Sequence, residues 1–204
     1  MKKVLVIATF NPHKLLEIRA ILPAPLALKA LSDFPGSAPA EEDGATLEEN
    51  AAKKALAAAR FTGLWALADD TGLEVDALGG GPGIRSARYA GENSSAAENT
   101  AKLLSALAGL PSGKRLARFA CVMALASPAG ELLTCRGVLE GRITGGERGA
   151  EGFGYDPVFE VAGGSRTLAE FSEREKNSVS HRALALKGLV PELLRLFPAA
   201  RPGG

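Results

Sequence analysis

Thiols and imidazoles, the side chains that would mark a zinc centre or a disulfide scaffold, are scarce in this chain of 204 residues. There are two cysteines, Cys121 and Cys135, each in an apolar or strand-like context. That suits buried thiols in a reducing compartment better than a disulfide framework or a zinc cluster. With two histidines, there is no imidazole cluster either. Charge of one sign is also missing: 24 Lys and Arg face 23 Asp and Glu, a net of +1. No global field then favours nucleic acid or an anionic membrane, so any anion site must be built from a few local lysines and arginines. Long apolar runs are absent as well. Behind Lys2 and Lys3 the apolar stretch is only Val4 to Ala8, too short for a signal peptide or a membrane span, so a soluble cytoplasmic protein is expected. Aromatics make up 5%, leaving aliphatic residues and alanine to build the core. The length suits one large domain or a core with a smaller lobe. No internal repeat or linker interrupts residues 1–197, and the Pro, Ala and Gly of 198–204 predict a frayed tail.

What is present centres on Trp65-Ala-Leu-Ala-Asp69-Asp70-Thr71-Gly72. A short apolar run before two acids reads as a buried strand, with the acids emerging at its C-terminal edge, where open α/β sheets place ligands. Adjacent strand residues point to opposite sides, so at most one carboxylate faces a given metal while the other orients a neighbour. Mg²⁺ is held by one or two carboxylates plus substrate phosphates, which this pair could supply; a polar turn after a strand reads equally well from the stretch alone.

Upstream, Val4 to Ala8 predicts a strand covered on both faces. Thr9-Phe10-Asn11 turns it into a helix, with Asn11 as N-cap, Pro12 at the first position, and Leu15, Ile18 and Leu22 at helical spacing. His13 and Lys14 fall in the first turn. A cation there is electrostatically misplaced unless an anion is bound, which suggests a phosphate site; a solvated lysine is the plain alternative. Leu26 to Leu31 predicts a second extended segment. A loop follows, ending in Glu41-Glu42-Asp43-Gly44, and Thr46-Leu-Glu-Glu49 opens an alanine-rich helix that carries Lys53 and Lys54 and stops near Gly63. One loop acid folding back beside Asp70 would complete a pair of oxygen ligands for Mg²⁺; otherwise the acidic run is a solvated loop.

Gly79-Gly-Gly-Pro-Gly83 matches neither a Walker nor a Rossmann pattern and reads as a turn. Ser95 to Glu98 is a capping box for a helix that packs Leu103, Leu104 and Leu107. Arg118 to Ala126 and Leu132 to Leu139 predict a hairpin about Ser127-Pro-Ala-Gly130, hence a mixed sheet. Phe153-Gly154-Tyr155-Asp156 could pocket a flat ring, with Phe153 stacking, although turns before strands look similar. Ser180 can cap a helix begun by His181 and Arg182, two donors suited to an anion or a carbonyl-bearing ligand.

Together, Thr9-Phe-Asn-Pro-His-Lys14, Glu41-Glu-Asp-Gly44, Ala68-Asp-Asp-Thr-Gly72, Gly79-Gly-Gly-Pro-Gly83, Phe153-Gly-Tyr-Asp156, Glu175-Lys176-Asn177 and Ser180-His-Arg182 closely resemble the Ham1/RdgB family of inosine triphosphate pyrophosphatases. The motifs stand in family order from residue 2 to about residue 197. The resemblance implies an α/β fold: a long twisted mixed sheet flanked by helices, in two lobes with a central substrate cleft. It also implies Mg²⁺-dependent hydrolysis of ITP, dITP and XTP to the monophosphate and pyrophosphate by a homodimer. Thr9, Phe10, Asn11, Pro12, His13 and Lys14 would form the first phosphate-binding loop, with Lys54 and Lys176 adding charge. Asp70 would be metal ligand and proton acceptor, Glu41 the second acid, and Thr71 a substrate contact. Phe153, Gly154, Tyr155, Asp156, His181 and Arg182 would hold the base. The chain departs from the family's Thr-Gly-Asn at Phe10. A Maf-like pyrophosphatase of different base preference and a non-catalytic nucleotide-binding module are the alternatives; the joint presence of Asp70, Lys14 and Lys176 speaks against the second.

Overall fold

The computed structural model describes residues 4–23 and 26–198. Lys2, Lys3 and the tail beyond Pro198 lie outside the described residues. Strand β1 (Val4–Ile7) leads through the Thr9–Asn11 loop into helix α1 (Pro12–Ile21), as its turn chemistry predicts: the Asn11 side chain accepts from the backbone N–H groups of His13 and Lys14. Phe10 causes no strain there, since every non-glycine among the described residues keeps a negative φ. Strand β2 (Ala27–Ala30) follows and pairs parallel to β1, Val4 opposite Ala27. Helix α2 (Leu47–Thr62) starts at Thr46, whose hydroxyl accepts from Glu49 N, and stops at Gly63 in the left-handed conformation.

Strand β3 (Trp65–Val75) is longer than the sequence suggests. Its parallel pairing with β1 ends at Leu67, opposite Ile7, so the acids do lie just past the end of that pairing. The strand itself runs on through Asp69, Asp70 and Gly72, correcting the expectation that it stops at the acids. The reason is strand β4 (Pro82–Gly83), which pairs antiparallel with Leu73 and Glu74. A Cβ at position 72 would come within 2.7 Å of the Gly83 carbonyl oxygen, so only glycine lets the two backbones approach.

Helix α3 (Ala96–Ala106) begins at the predicted Ser95–Glu98 box. Strands β5 (Leu116–Ala126) and β6 (Leu132–Ile143) form the expected hairpin, closed by Ser127 N to Glu131 O at 2.9 Å. Strand β7 (Phe159–Val161) pairs antiparallel with β6. A seven-residue helix α4 (Glu173–Val179), capped by Ser172 and Glu175, precedes α5 (His181–Leu196). The strands bond in the order β2-β1-β3-β5-β6-β7, with β4 on β3, a mixed sheet in an α/β chain as expected.

The chain forms two compact units. The first comprises residues 1–70, 122–137 and 182–204, the second 71–121 and 138–181, and β3, β5 and β6 each contribute to both. In the first, Leu5, Val6, Ile7, Ile18, Leu67 and Leu193 are fully buried, together with the alanine face of α2. In the second, Leu73, Leu103, Leu107, Phe119, Val158, Phe159 and Leu168 form one apolar cluster. Cys121 is fully buried, as a core thiol should be, whereas Cys135 is only half buried. Among the described residues no helix is long and apolar enough to cross a membrane.

Candidate active site

Because successive strand side chains alternate, Asp69 and Asp70 open into different surroundings within the first unit. Asp69 is 2% exposed. Its Oδ2 accepts from Arg182 Nη2 at 3.1 Å and Nε at 3.3 Å and pairs with Lys14 Nζ at 2.9 Å. The remaining guanidinium nitrogen of Arg182 donates to Glu17, itself buried on α1. Burial alone would push Asp69 up, but Lys14, Arg182 and Lys54 hold its carboxyl well below the usual range. A carboxyl depressed in the folded state contributes stability that is present above its unfolded pKa of about 3.9 and is lost as pH falls toward the folded value. Asp69→Asn is therefore expected to flatten the rise of unfolding free energy between about pH 2 and about pH 5, measured by urea denaturation; an unchanged slope would contradict the assignment.

Asp70, on the other side, is 7% exposed. Its Oδ1 accepts from Lys54 Nζ at 2.8 Å, and its Oδ2 lies 3.4 Å from Asn50 Nδ2. Lys54 also donates to Glu42 Oε1 at 2.7 Å. Burial raises the Asp70 carboxyl above its ordinary value despite Lys54, and Glu42 adds to the rise. Burial works against the charge of Lys54, but Asp69, Asp70 and Glu42 outweigh it and raise its pKa. This is a protonated lysine held among carboxylates, one of which is unusually basic for an aspartate.

The loop acid that reaches Lys54 beside Asp70 is Glu42, while Glu41 is exposed. Arg182, expected on a purine, has its guanidinium on Asp69 and Glu17. Lys14 sits in the first turn of α1 as predicted, its ammonium on Asp69. Thr9 and Asn11 build the loop itself: Thr9 Oγ1 accepts from Asn11 N at 3.1 Å. Pro12 and His13 are exposed at the helix start, and Phe10 is 42% exposed.

Sequence reasoning missed Glu17 and Asn50. Each is a polar residue on the buried face of its helix, and that mismatch with the apolar pattern was the available signal. Asn50 Oδ1 accepts from Gly44 N at 2.8 Å, tying the acidic loop to α2. Losing that acceptor strands a buried N–H, at about 1–3 kcal/mol. Asn50→Ala is expected to lose that much unfolding free energy in urea and to turn over more slowly, since the loop carrying Glu42 loosens. A variant as stable and active as the parent would contradict the role.

In the second unit, the 153–156 loop is locked from within. The buried Asp156 accepts from Phe153 N at 2.8 Å and from Lys176 Nζ at 2.6 Å, and that ammonium stands 4.6 Å from the Phe153 ring centroid. Gly152, at φ 76°, makes the lock fit, because a Cβ there would fall 2.2 Å from Asp156 Oδ2. Gly154 also has positive φ. The Tyr155 ring is core, its hydroxyl donates to Ser86 O at 2.8 Å, and burial raises its pKa. His181 is buried and stacks on Phe119 at 4.6 Å. Thr71 follows Asp70 directly along β3, half buried.

The Ham1 family model matches residues 5–192. A dITP/XTP pyrophosphatase of Geobacter sulfurreducens is 55% identical over 190 residues, 93% of this chain and 96% of that protein. One from Desulforamulus reducens is 50% identical over 194 residues, 95% and 96% of the two. Among solved structures, a HAM1 protein from Coxiella burnetii superposes with a TM-score of 0.85 at 42% identity, covering 95% of this chain and 99% of that one. The Staphylococcus aureus Ham1 protein gives 0.84 at 40% identity, covering 95% and 100%. Sequence and backbone thus agree along nearly the whole length, and the chain belongs to the Ham1 family.

Proposed function

We propose that this protein is a nucleoside triphosphate pyrophosphatase that hydrolyses non-canonical purine nucleotides, ITP, dITP and XTP, to the monophosphate and pyrophosphate. The observation that carries the reading is the pairing of two ammonium groups, Lys14 and Lys54, with the two adjacent acids of β3. Relatives at half identity that bear the name dITP/XTP pyrophosphatase support the substrate class.

The donor chemistry fits Mg²⁺. Asp70 and Glu42 offer two carboxylates around one lysine, and Mg²⁺ is usually bound by one or two carboxylates, with waters and substrate phosphates completing the shell. Among the described residues no group of three or more His, Cys, Asp or Glu is placed to hold a metal ion by itself, so the protein would supply only part of that shell. When bound, the ion lowers the pKa of coordinated water and neutralises phosphate charge.

The chain's own residues do the rest. Asp70, raised in pKa by burial, accepts the proton of the attacking water. The water oxygen bonds to the α-phosphorus as the bond to the bridging oxygen of pyrophosphate breaks. Lys14 and Lys54, paired in this structure with Asp69, Asp70 and Glu42, exchange those partners for phosphate oxygens and stabilise the charge that accumulates there. Asp69 stays behind, with Arg182, as the fixed anchor from which Lys14 reaches. The resemblance assigns recognition of the base, with its 6-oxo group, to the 153–156 loop and to His181 and Arg182; in that loop the Phe153 ring lies 4.6 Å from Lys176 Nζ. The resemblance adds a homodimer, which sedimentation equilibrium tests directly.

Incubation with ITP and Mg²⁺ followed by anion-exchange chromatography should yield IMP and pyrophosphate, and EDTA should abolish both. IDP with orthophosphate would place the cleavage at the wrong bond and overturn the reading.

A further inference from the structure

A second cationic place, built from residues the proposed reaction does not use, lies in the second unit. A cavity of about 270 Å³ is lined by Arg115, Arg142, Arg148 and Glu160, with Ser112 and residues 143–145 completing the wall. At about 30 Å³ per water, it has room for a polyatomic ligand.

Its charges do not balance. Glu160 is buried and its two oxygens serve Arg142 and Arg148, the latter at 2.7 Å. Glu170, outside the lining, reaches Arg148 Nε at 3.7 Å. Among the described residues Arg115 meets no carboxylate: its Nε donates to Leu110 O and its Nη1 to Thr144 O, both at 2.9 Å. Three guanidinium groups therefore meet one carboxylate in the lining, and two when Glu170 is counted. The two carbonyl bonds fix the Arg115 fork in place, so its charge is presented without further ordering. The side chains of Arg142 and Arg148 are more than two-fifths exposed and can reach an incoming anion. Surface ion pairing would need only Arg142, Arg148 and Glu160; the half-buried, unneutralised Arg115 is what a ligand would explain.

We propose that this pocket binds a phosphoryl oxyanion of about pyrophosphate size, because fixed guanidinium forks match phosphate oxygens in charge and geometry. The ligand could be free pyrophosphate or the phosphate group of a nucleotide. The test is an amide NMR titration of the full chain without divalent metal, following Ser112, Thr144 and Gly145. Sodium pyrophosphate should give saturable shifts at these amides, weakened about tenfold in Arg115→Gln. Arg142→Gln, a change at an exposed side chain, should weaken them too, so the test does not depend on how Arg115→Gln folds. Steady-state ITP hydrolysis should be unchanged in both variants. Tighter binding of pyrophosphate than of IMP supports the site with the free anion as ligand, and the reverse order supports it with a nucleotide phosphate. Absence of saturable shifts at these amides, or shifts the same in the parent and both variants, would overturn the proposal. Because the readout is local and metal-free, it stands apart from any failure of the hydrolase reading.

Discussion

Asp70→Asn is expected to lower kcat on ITP by at least about a hundredfold while leaving the fold in place. On the proposed mechanism the change removes the proton acceptor and a ligand charge at nearly constant shape. Stability should survive because burial already disfavours the charged form of Asp70, so a neutral amide relieves a cost. Lys54 would keep Glu42 at 2.7 Å. Circular dichroism and urea unfolding should show a folded protein, with steady-state pyrophosphate release reporting the loss. A folded variant retaining half the parental rate at saturating Mg²⁺ would remove Asp70 from the chemistry. Asp69→Asn should act differently, through stability and the placement of Lys14, because Asp69 is engaged with Lys14 and Arg182.

Arg182→Ala is expected to have the largest effect on stability. Arg182 is 1% exposed, and it compensates two carboxylates, Asp69 at 2% and Glu17 at 6% exposure. Removing one partner of a buried ion pair leaves uncompensated charge and costs about 3–5 kcal/mol. Lys14 remains beside Asp69 at 2.9 Å and tempers the loss there. Arg182→Lys should fall between, keeping the charge but not the fork that serves Glu17 and Asp69 together. In Glu17→Gln, the penalty for Arg182→Ala should shrink by about 0.5–3 kcal/mol, the coupling typical of residues in one network. Urea denaturation of the four proteins of this cycle provides the measurement, and strict additivity would mean that the two residues do not act as a unit.

Local chemistry made much of the fold legible. The Asn11 cap, the Thr46 and Ser95 helix starts and the Ser127–Gly130 hairpin depend on neighbours in sequence, and they stand where the pattern puts them. Opposed directions for Asp69 and Asp70 follow from the strand period alone. What was not legible depends on partners distant in sequence. Strand β3 continues past the acids because Gly83 comes to pair beside it. The choice of Glu42 over Glu41 beside Lys54 depends on how the loop returns to α2, which no spacing encodes. The partners of Arg182 and Tyr155 were not legible either: Arg182 is met by two buried acids, and the Tyr155 hydroxyl donates to the Ser86 carbonyl.

The account is tested most directly by one assay of pyrophosphate release, run at equal concentrations of ITP, XTP, dITP, GTP, ATP and dTTP with Mg²⁺. The resemblance implies a preference for 6-oxo purines, and a site that hydrogen-bonds one group can reject the wrong one by about 10⁴ to 10⁵. The predicted result is rapid release from ITP, XTP and dITP, with ATP and dTTP far slower. Release fastest from dTTP, or at equal rates from ITP and ATP, would contradict it.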